Sequence, residues 1–223
     1  MRLSDTVSSV LVGTTVLCAV LSTGLLVRRE FLGPRSIARA TAAPVFVQNW
    51  RAYAAVGHRM GPPTARVTIL EFADFECPVC KAFTLGALRY VRSKNPDDIQ
   101  VVFRHWPLSY HRFAYPTARA AECAAAQGRF EAFHDLVYAK QDSLGLKPYS
   151  AFAREANIPD SQAFDKCNTR SGAVAVIDAD VRAAATIGAK GTPTLVINGW
   201  MSTGAPDSMT LERTIQQALR VPR

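Results

Sequence analysis

Cys77-Pro78-Val79-Cys80 places two thiols within one helical turn, directly after the apolar run Val67-Thr68-Ile69-Leu70-Glu71-Phe72. Such a pair can close and reopen a small disulfide with little movement elsewhere. A structural cystine normally ties distant segments together, and one this short removes little chain entropy. The competing reading is half of a zinc site, which needs about four ligands. Cys18, Cys123 and Cys167 form no second CxxC, and His58, His105, His111 and His134 show no metal spacing. No metal is expected, and the four histidines read as packing or surface residues, with His111 placed beside the active-site groove. The spacing points to redox chemistry.

The elements that must position these thiols follow from the pattern around them. Phe83, Ala87, Leu88 and Val91 recur at helical spacing, which predicts a helix over residues 78–93. Pro78 suits its first turn, where no N–H is needed. Cys77 then sits at the helix N-terminus, among unpaired N–H groups and the positive end of the dipole. That setting favours the thiolate, and thiol pKa values in such motifs fall to about 3.5–7.5. Lys81 is expected to add positive charge. Cys77 is therefore the expected nucleophile and Cys80, one turn inside, the resolving thiol. Asp74 and Glu76 are expected to be exposed in the preceding loop, where they oppose the thiolate.

Several separate segments together resemble the DsbA-like branch of the thioredoxin fold. Residues 67–80 (VTILEFADFECPVC) are similar to its active-site strand and turn, and Arg104-His105-Trp106-Pro107-Leu108 to the end of its next strand. Residues 120–135 (AAECAAAQGRFEAFHD) resemble its inserted helical domain. Gly191-Thr192-Pro193-Thr194, followed by LVING, matches its proline loop and following strand.

The resemblance implies an α/β thioredoxin-like fold with an inserted α-helical domain, needing no cofactor because the thiols carry the chemistry. It implies that Pro193 is cis and faces the disulfide, while the backbone of Thr192 pairs with substrate. Glu71 reads from the strand pattern alone as an exposed-face carboxylate; the resemblance offers instead a buried acid that relays a proton to Cys80. Val79 stands where a histidine is often found, so the motif predicts a milder oxidant. The resemblance also admits a second disulfide, for which Cys123 and Cys167 look suitable; either is otherwise an ordinary core cysteine.

Residues 6–27 carry no charge and, as a helix, span about 33 Å, enough for a hydrocarbon core of about 30 Å. One N-terminal transmembrane helix is expected in residues 1–30, as an uncleaved anchor rather than a cleaved signal peptide. Cys18 packs within it. Arg28, Arg29, Arg35 and Arg39 follow the span, which by charge alone places the rest of the chain in the cytoplasm. Disulfide chemistry belongs outside it, in the periplasm or at the extracytoplasmic face. The reading adopted is export, with a cleaved secreted form as the variant.

Residues 31–64, rich in Arg, Ala, Gly and Pro, read as a juxtamembrane linker with a short helix near Trp50. Residues 65–108 and 186–223 then form the thioredoxin-like domain and 109–185 the helical insertion. Within the insertion, helices are predicted over 116–127, 130–142, 149–156, 160–167 and 172–187. A strand is predicted over 99–103, and a hairpin turning at Asn198-Gly199.

A net charge of +8 invites a nucleic-acid reading, but the basic residues are dispersed and partly gathered beside the expected span. Anionic lipid is the simpler partner there, and no nucleic acid is expected. The expected function is thiol–disulfide exchange on exported cysteine-containing proteins, as an oxidase served by a membrane redox partner. A reductase or isomerase, or a redox-inactive peptide-binding module, are the alternatives.

Overall fold

The computed structural model describes residues 44–220. The run at 6–27, and with it the expected membrane anchor and Cys18, lies outside the described residues. Among those described, no helix is long and apolar enough to cross a membrane.

The chain begins with β1 (Val45–Phe46), α1 (Trp50–Ala54), β2 (His58–Met60) and β3 (Val67–Ala73). The active-site helix follows in three joined pieces: α2 (Pro78–Phe83), a π-helical turn (Thr84–Leu88) and α3 (Arg89–Lys94). Next come β4 (Ile99–His105), then α4 (Ala114–Ala125), α5 (Phe130–Ala139), α6 (Tyr149–Glu155), α7 (Ser161–Asn168) and α8 (Ala175–Thr186). The chain closes with β5 (Thr194–Ile197), β6 (Trp200–Thr203) and α9 (Ser208–Arg220).

The six strands form one sheet in the order β1-β6-β5-β3-β4-β2. Only β3 and β4 run parallel, from Val67 opposite Ile99 to Ala73 opposite His105. A parallel pair needs a crossover, and the active-site helix supplies it. β5 and β6 are the predicted hairpin, with Asn198 and Gly199 both at positive φ in its two-residue turn.

β3 is buried on both faces, and its period of two divides it cleanly. Leu70 and Phe72 pack with Trp50, Val102, Val196 and Ala184 on one face. Val67, Ile69 and Ala73 face the other, with Cys80, Phe83, Val101, Phe103 and Phe133. Glu71 falls in register with this second set, so the strand alternation itself turns its carboxyl toward the active-site helix.

Between β4 and β5 the chain makes a helical excursion, α4 to α8. Alanines at 118, 120, 121 and 124 let α4 pack closely against its neighbours. A disulfide joins Cys123 on α4 to Cys167 on α7 across 44 residues, with the Cα atoms 5.7 Å apart. Asp160 caps α7 by accepting from the Ala163 N–H. Asp180 of α8 is fully buried against the end of β4, where Arg104 Nε donates to it at 2.6 Å and the His105 N–H at 2.8 Å.

Two expectations need correction. Residues 45–60, assigned above to a linker, supply both edge strands of the sheet, while α1 is the short helix expected near Trp50. A two-residue and a three-residue strand are too short to show alternation, so the composition of the segment masked them. The active-site helix is also not uniformly α-helical. Its π turn surrounds Gly86, the weakest helix former beyond the first turn.

Candidate active site

Cys77 is the residue that caps α2, with extended backbone angles (φ −71°, ψ 119°), and Pro78 occupies the first turn. The N–H of Lys81 closes that turn onto the Cys77 carbonyl at 3.1 Å. The Cys77 thiol is therefore presented to the open N–H groups of Val79 and Cys80. Its pKa falls from 9.0 to about 5. The Cys80 thiol contributes most, and burial opposes it; Thr192 and the two backbone N–H groups add to the lowering. Cys80 is fully buried and its thiol moves the other way, well above the ordinary range. Burial is the main cause there, followed by Cys77 itself and the negative charge of Glu71. Two thiols of one motif thus differ sharply in acidity because Cys80, the more deeply buried, keeps its proton and shares it with the Cys77 sulfur, while N–H groups at the helix end add to the effect on Cys77 alone.

The Thr192–Pro193 peptide bond is cis. The Thr192 carbonyl lies 3.6 Å from the Cys77 sulfur, across 115 residues of sequence, and accepts from it when the thiol is protonated. Thr194 anchors the loop by donating from its hydroxyl to the Gly191 carbonyl at 2.7 Å. On the far side, the Pro193 carbonyl accepts from the Gly204 N–H at 2.8 Å.

Glu71 is wholly buried on the active-site face of β3, and neither carboxylate oxygen has a hydrogen-bond partner. Burial raises its pKa from 4.5 to about 8. An exposed strand carboxylate, the reading from pattern alone, is thereby excluded.

Around the motif, the electrostatics differ from expectation at three residues. Asp74 is buried, not exposed, and its carboxylate accepts from the N–H groups of Glu76 (2.7 Å) and Leu108 (2.8 Å). His111 Nδ1 lies 2.8 Å from the same group, which places His111 in the loop that shapes the turn. Glu76 accepts from the Phe113 N–H at 2.5 Å. These carboxylates are occupied in building the turn. Lys81, expected to assist the thiolate, pairs instead with Asp142 at 2.8 Å. Val79 is nearly half exposed beside the thiols and offers only its backbone N–H.

Two supporting residues escaped the sequence reading. Buried Gln141 donates through Nε2 to the carbonyls of Phe75 (2.8 Å) and Cys77 (3.0 Å), pinning the turn from the helical insertion. Tyr138, also buried, donates its hydroxyl to the Asp74 carbonyl at 3.3 Å. Both lie more than 60 residues from their partners, and nothing local in sequence marks them.

The family model described as Thioredoxin matches residues 54–217, most of the chain. The chain belongs to the thioredoxin family. Within it, the chain is DsbA-like. It is similar to DsbA2 of Pseudomonas aeruginosa, with 30% identity and a TM-score of 0.54, covering 71% of this chain and 92% of that one. A thioredoxin-like oxidoreductase from Silicibacter pomeroyi is 25% identical with a TM-score of 0.61, covering 74% and 93%. BdbD of Bacillus subtilis, at 19% identity, shares the fold, with a TM-score of 0.67 over 81% of this chain and 98% of that one. Among curated proteins, an Na(+)/H(+) antiporter NhaA of Mycolicibacterium gilvum is 36% identical over 162 residues, 71% of this chain. The chain spans about a quarter of the length of the antiporters it matches (26% for this one). A reactive thiol pair on this DsbA-like fold makes the chain a protein thiol–disulfide oxidoreductase.

Proposed function

We propose that the protein transfers its Cys77–Cys80 disulfide to cysteine-containing proteins outside the cytoplasm. The observation that carries this is the divergence of the two thiols. In the oxidised protein a substrate thiolate attacks the Cys77 sulfur, releasing the Cys80 sulfur and forming a mixed disulfide. A second substrate thiolate then attacks the substrate sulfur, and Cys77 leaves as the thiolate. A leaving thiol of low pKa departs readily, and a stabilised thiolate makes the reduced state favourable, which is what an oxidant requires. Released Cys80 must gain a proton, and Glu71, protonated at neutral pH and oriented to the same face, is the proposed donor. Thr192 and Pro193 are the proposed docking edge for the substrate backbone, with exposed Val79 at its margin.

The low Cys77 pKa supports a stronger oxidant than the valine in the motif suggested, because the Cys80 thiol, with Thr192 and the backbone N–H groups of Val79 and Cys80, supplies what the missing histidine does not. Regeneration calls for a membrane redox partner, and the uncharged run at residues 6–27 supports anchoring there. Two comparisons support an extracytoplasmic setting. One structural neighbour is a periplasmic thioredoxin-like protein from Salmonella enterica, and the antiporter relatives carry a similar segment within a membrane protein. Cation transport does not come with so small a share of those proteins.

Acid-quenched alkylation in the native cells, read by peptide mass spectrometry, tests the direction. A mostly oxidised Cys77–Cys80 pair is the expected result. A mostly reduced pair beside an intact Cys123–Cys167 bond would make the protein an exported reductase or isomerase instead. All four thiols free would place the domain in the cytoplasm.

A further inference from the structure

A second cluster of chemically capable side chains lies away from the thiols, at the edge of the sheet. His58 of β2 and His105 at the end of β4 are brought together by strand register. His58 pairs with Phe103, which makes His105 its diagonal neighbour. The two rings meet edge to face at 5.6 Å. From the helical insertion, Glu122 of α4 reaches both: His58 Nε2 lies 2.5 Å and His105 Nε2 2.7 Å from the same carboxylate oxygen. The potential donor atoms of all three residues lie within 4.8 Å of one another.

We propose that His58, His105 and Glu122 form a binding site for a divalent cation of the zinc type, held by two imidazole nitrogens and a carboxylate. Donor chemistry selects the class. Imidazole suits zinc and its late first-row neighbours, whereas calcium and magnesium take oxygen ligands. Three protein ligands with one position left for water is an established zinc arrangement. His58 and Glu122 are each slightly under one-fifth exposed, so water reaches the open side, while His105 is buried behind them.

Ligand atoms around tetrahedral zinc lie about 3.3 Å apart for bonds of about 2.0 Å. The two short contacts need to open by less than about 1 Å, within reach of small side-chain rotations. Each imidazole is already held. Phe130 stacks on His58 with centroids 3.7 Å apart, and Phe103 meets His105 edge to face at 5.3 Å. All three ligands stand on regular strands or a helix, which hold such sites more firmly than loops do.

The site also relieves an internal difficulty. Two Nε2–H groups directed at one oxygen leave the buried Nδ1 of His105 as a bare lone pair, and it has no hydrogen-bond partner. Binding a cation at Nε2 moves that proton to Nδ1. There it becomes an N–H enclosed by the rings of Phe75, Phe103 and Phe130, which accept such a donor weakly but cannot serve a lone pair. The ion would clamp the helical insertion to β2 and β4, one residue from the Cys123 disulfide.

The test is titration of the full chain with Zn2+ by calorimetry and with Co2+ by visible absorption. Cys77→Ser/Cys80→Ser protein is used, so that the active-site thiols hold no metal. The expected result is one ion per chain, a raised melting temperature, and affinity at least about 100-fold weaker in both His58→Ala and Glu122→Gln. Glu122→Gln preserves shape, and His58 lies on an edge strand, so folding of either is checked by circular dichroism and one folded variant suffices. Absence of stoichiometric binding, or equal affinity in a folded variant, would overturn the site and leave a hydrogen-bonded triad.

Discussion

Between pH 5 and 8 the reduction potential of the Cys77–Cys80 pair should fall by about 30 mV per pH unit, and below pH 5 by about 60 mV per unit. Reduction of the disulfide takes up two electrons and, when both thiols end protonated, two protons. Each proton in a two-electron couple is worth about 30 mV per unit. Cys77, with its pKa near 5, remains a thiolate above that pH and removes one proton from the balance. Cys80, pushed upward, keeps its own. At pH 7 an ordinary thiol at 9.0 would be protonated, so the thiolate stabilises the reduced form by roughly 2.7 kcal/mol. That corresponds to a couple about 60 mV more oxidising than one with an unperturbed Cys77. Equilibration in glutathione buffers from pH 4 to 8, followed by acid quench, alkylation and mass analysis, reads the slope directly. A slope near 60 mV per unit throughout would show Cys77 protonated and refute the reasoning.

Three further outcomes are expected. Because Glu71 has a pKa near 8 in the folded chain against 4.5 ordinarily, the folded state holds a proton that the unfolded state has lost. Stability from this group is therefore present below about pH 4.5 and declines as pH rises toward 8. Glu71→Gln should stabilise by up to about 3 kcal/mol at pH 7 relative to pH 4 in urea melts; an equal effect at both would contradict the buried acid. Replacing Cys123 and Cys167 by serine should cost about 4 kcal/mol in the chain-entropy account of a 44-residue separation. The same melts check it, and an unchanged midpoint would show that packing alone holds α4 to α7. Gln141→Leu leaves the buried Phe75 and Cys77 carbonyls without their Nε2 donor. It should destabilise by about 2 kcal/mol and slow exchange, and unchanged exchange would show the turn holds without it.

What the sequence disclosed and what it hid divide along the range of the interactions. Cys77, Pro78 and Cys80 define their helix end within four residues and were readable from them, whereas the Gly191-Thr192-Pro193-Thr194 loop was set against Cys77 by the resemblance, since nothing local joins segments 115 residues apart. The helical patterns of α4 to α8 were readable locally, as that helix end was, within a few residues at each end. Glu71 left two readings open because period-two alternation gives a face but not which face is covered. Asp74 looked exposed because loops usually are, yet its partners at Leu108 and His111 lie 34 and 37 residues away. The edge strands β1 and β2 take their form from pairing with β6 and β4 rather than from any pattern of their own. His58, His105 and Glu122 carry no motif, being joined only by strand register and the seating of α4 across 17 and 64 residues.

The account rests on Cys77 as the group that exchanges with substrate. Incubating Cys80→Ser protein, with Cys77 free, with a disulfide-bonded model peptide and mapping the adduct by mass spectrometry tests it most directly. The account predicts a persistent mixed disulfide on Cys77 alone, and no exchange by Cys77→Ser. An adduct on another cysteine, or exchange that survives Cys77→Ser, would contradict it.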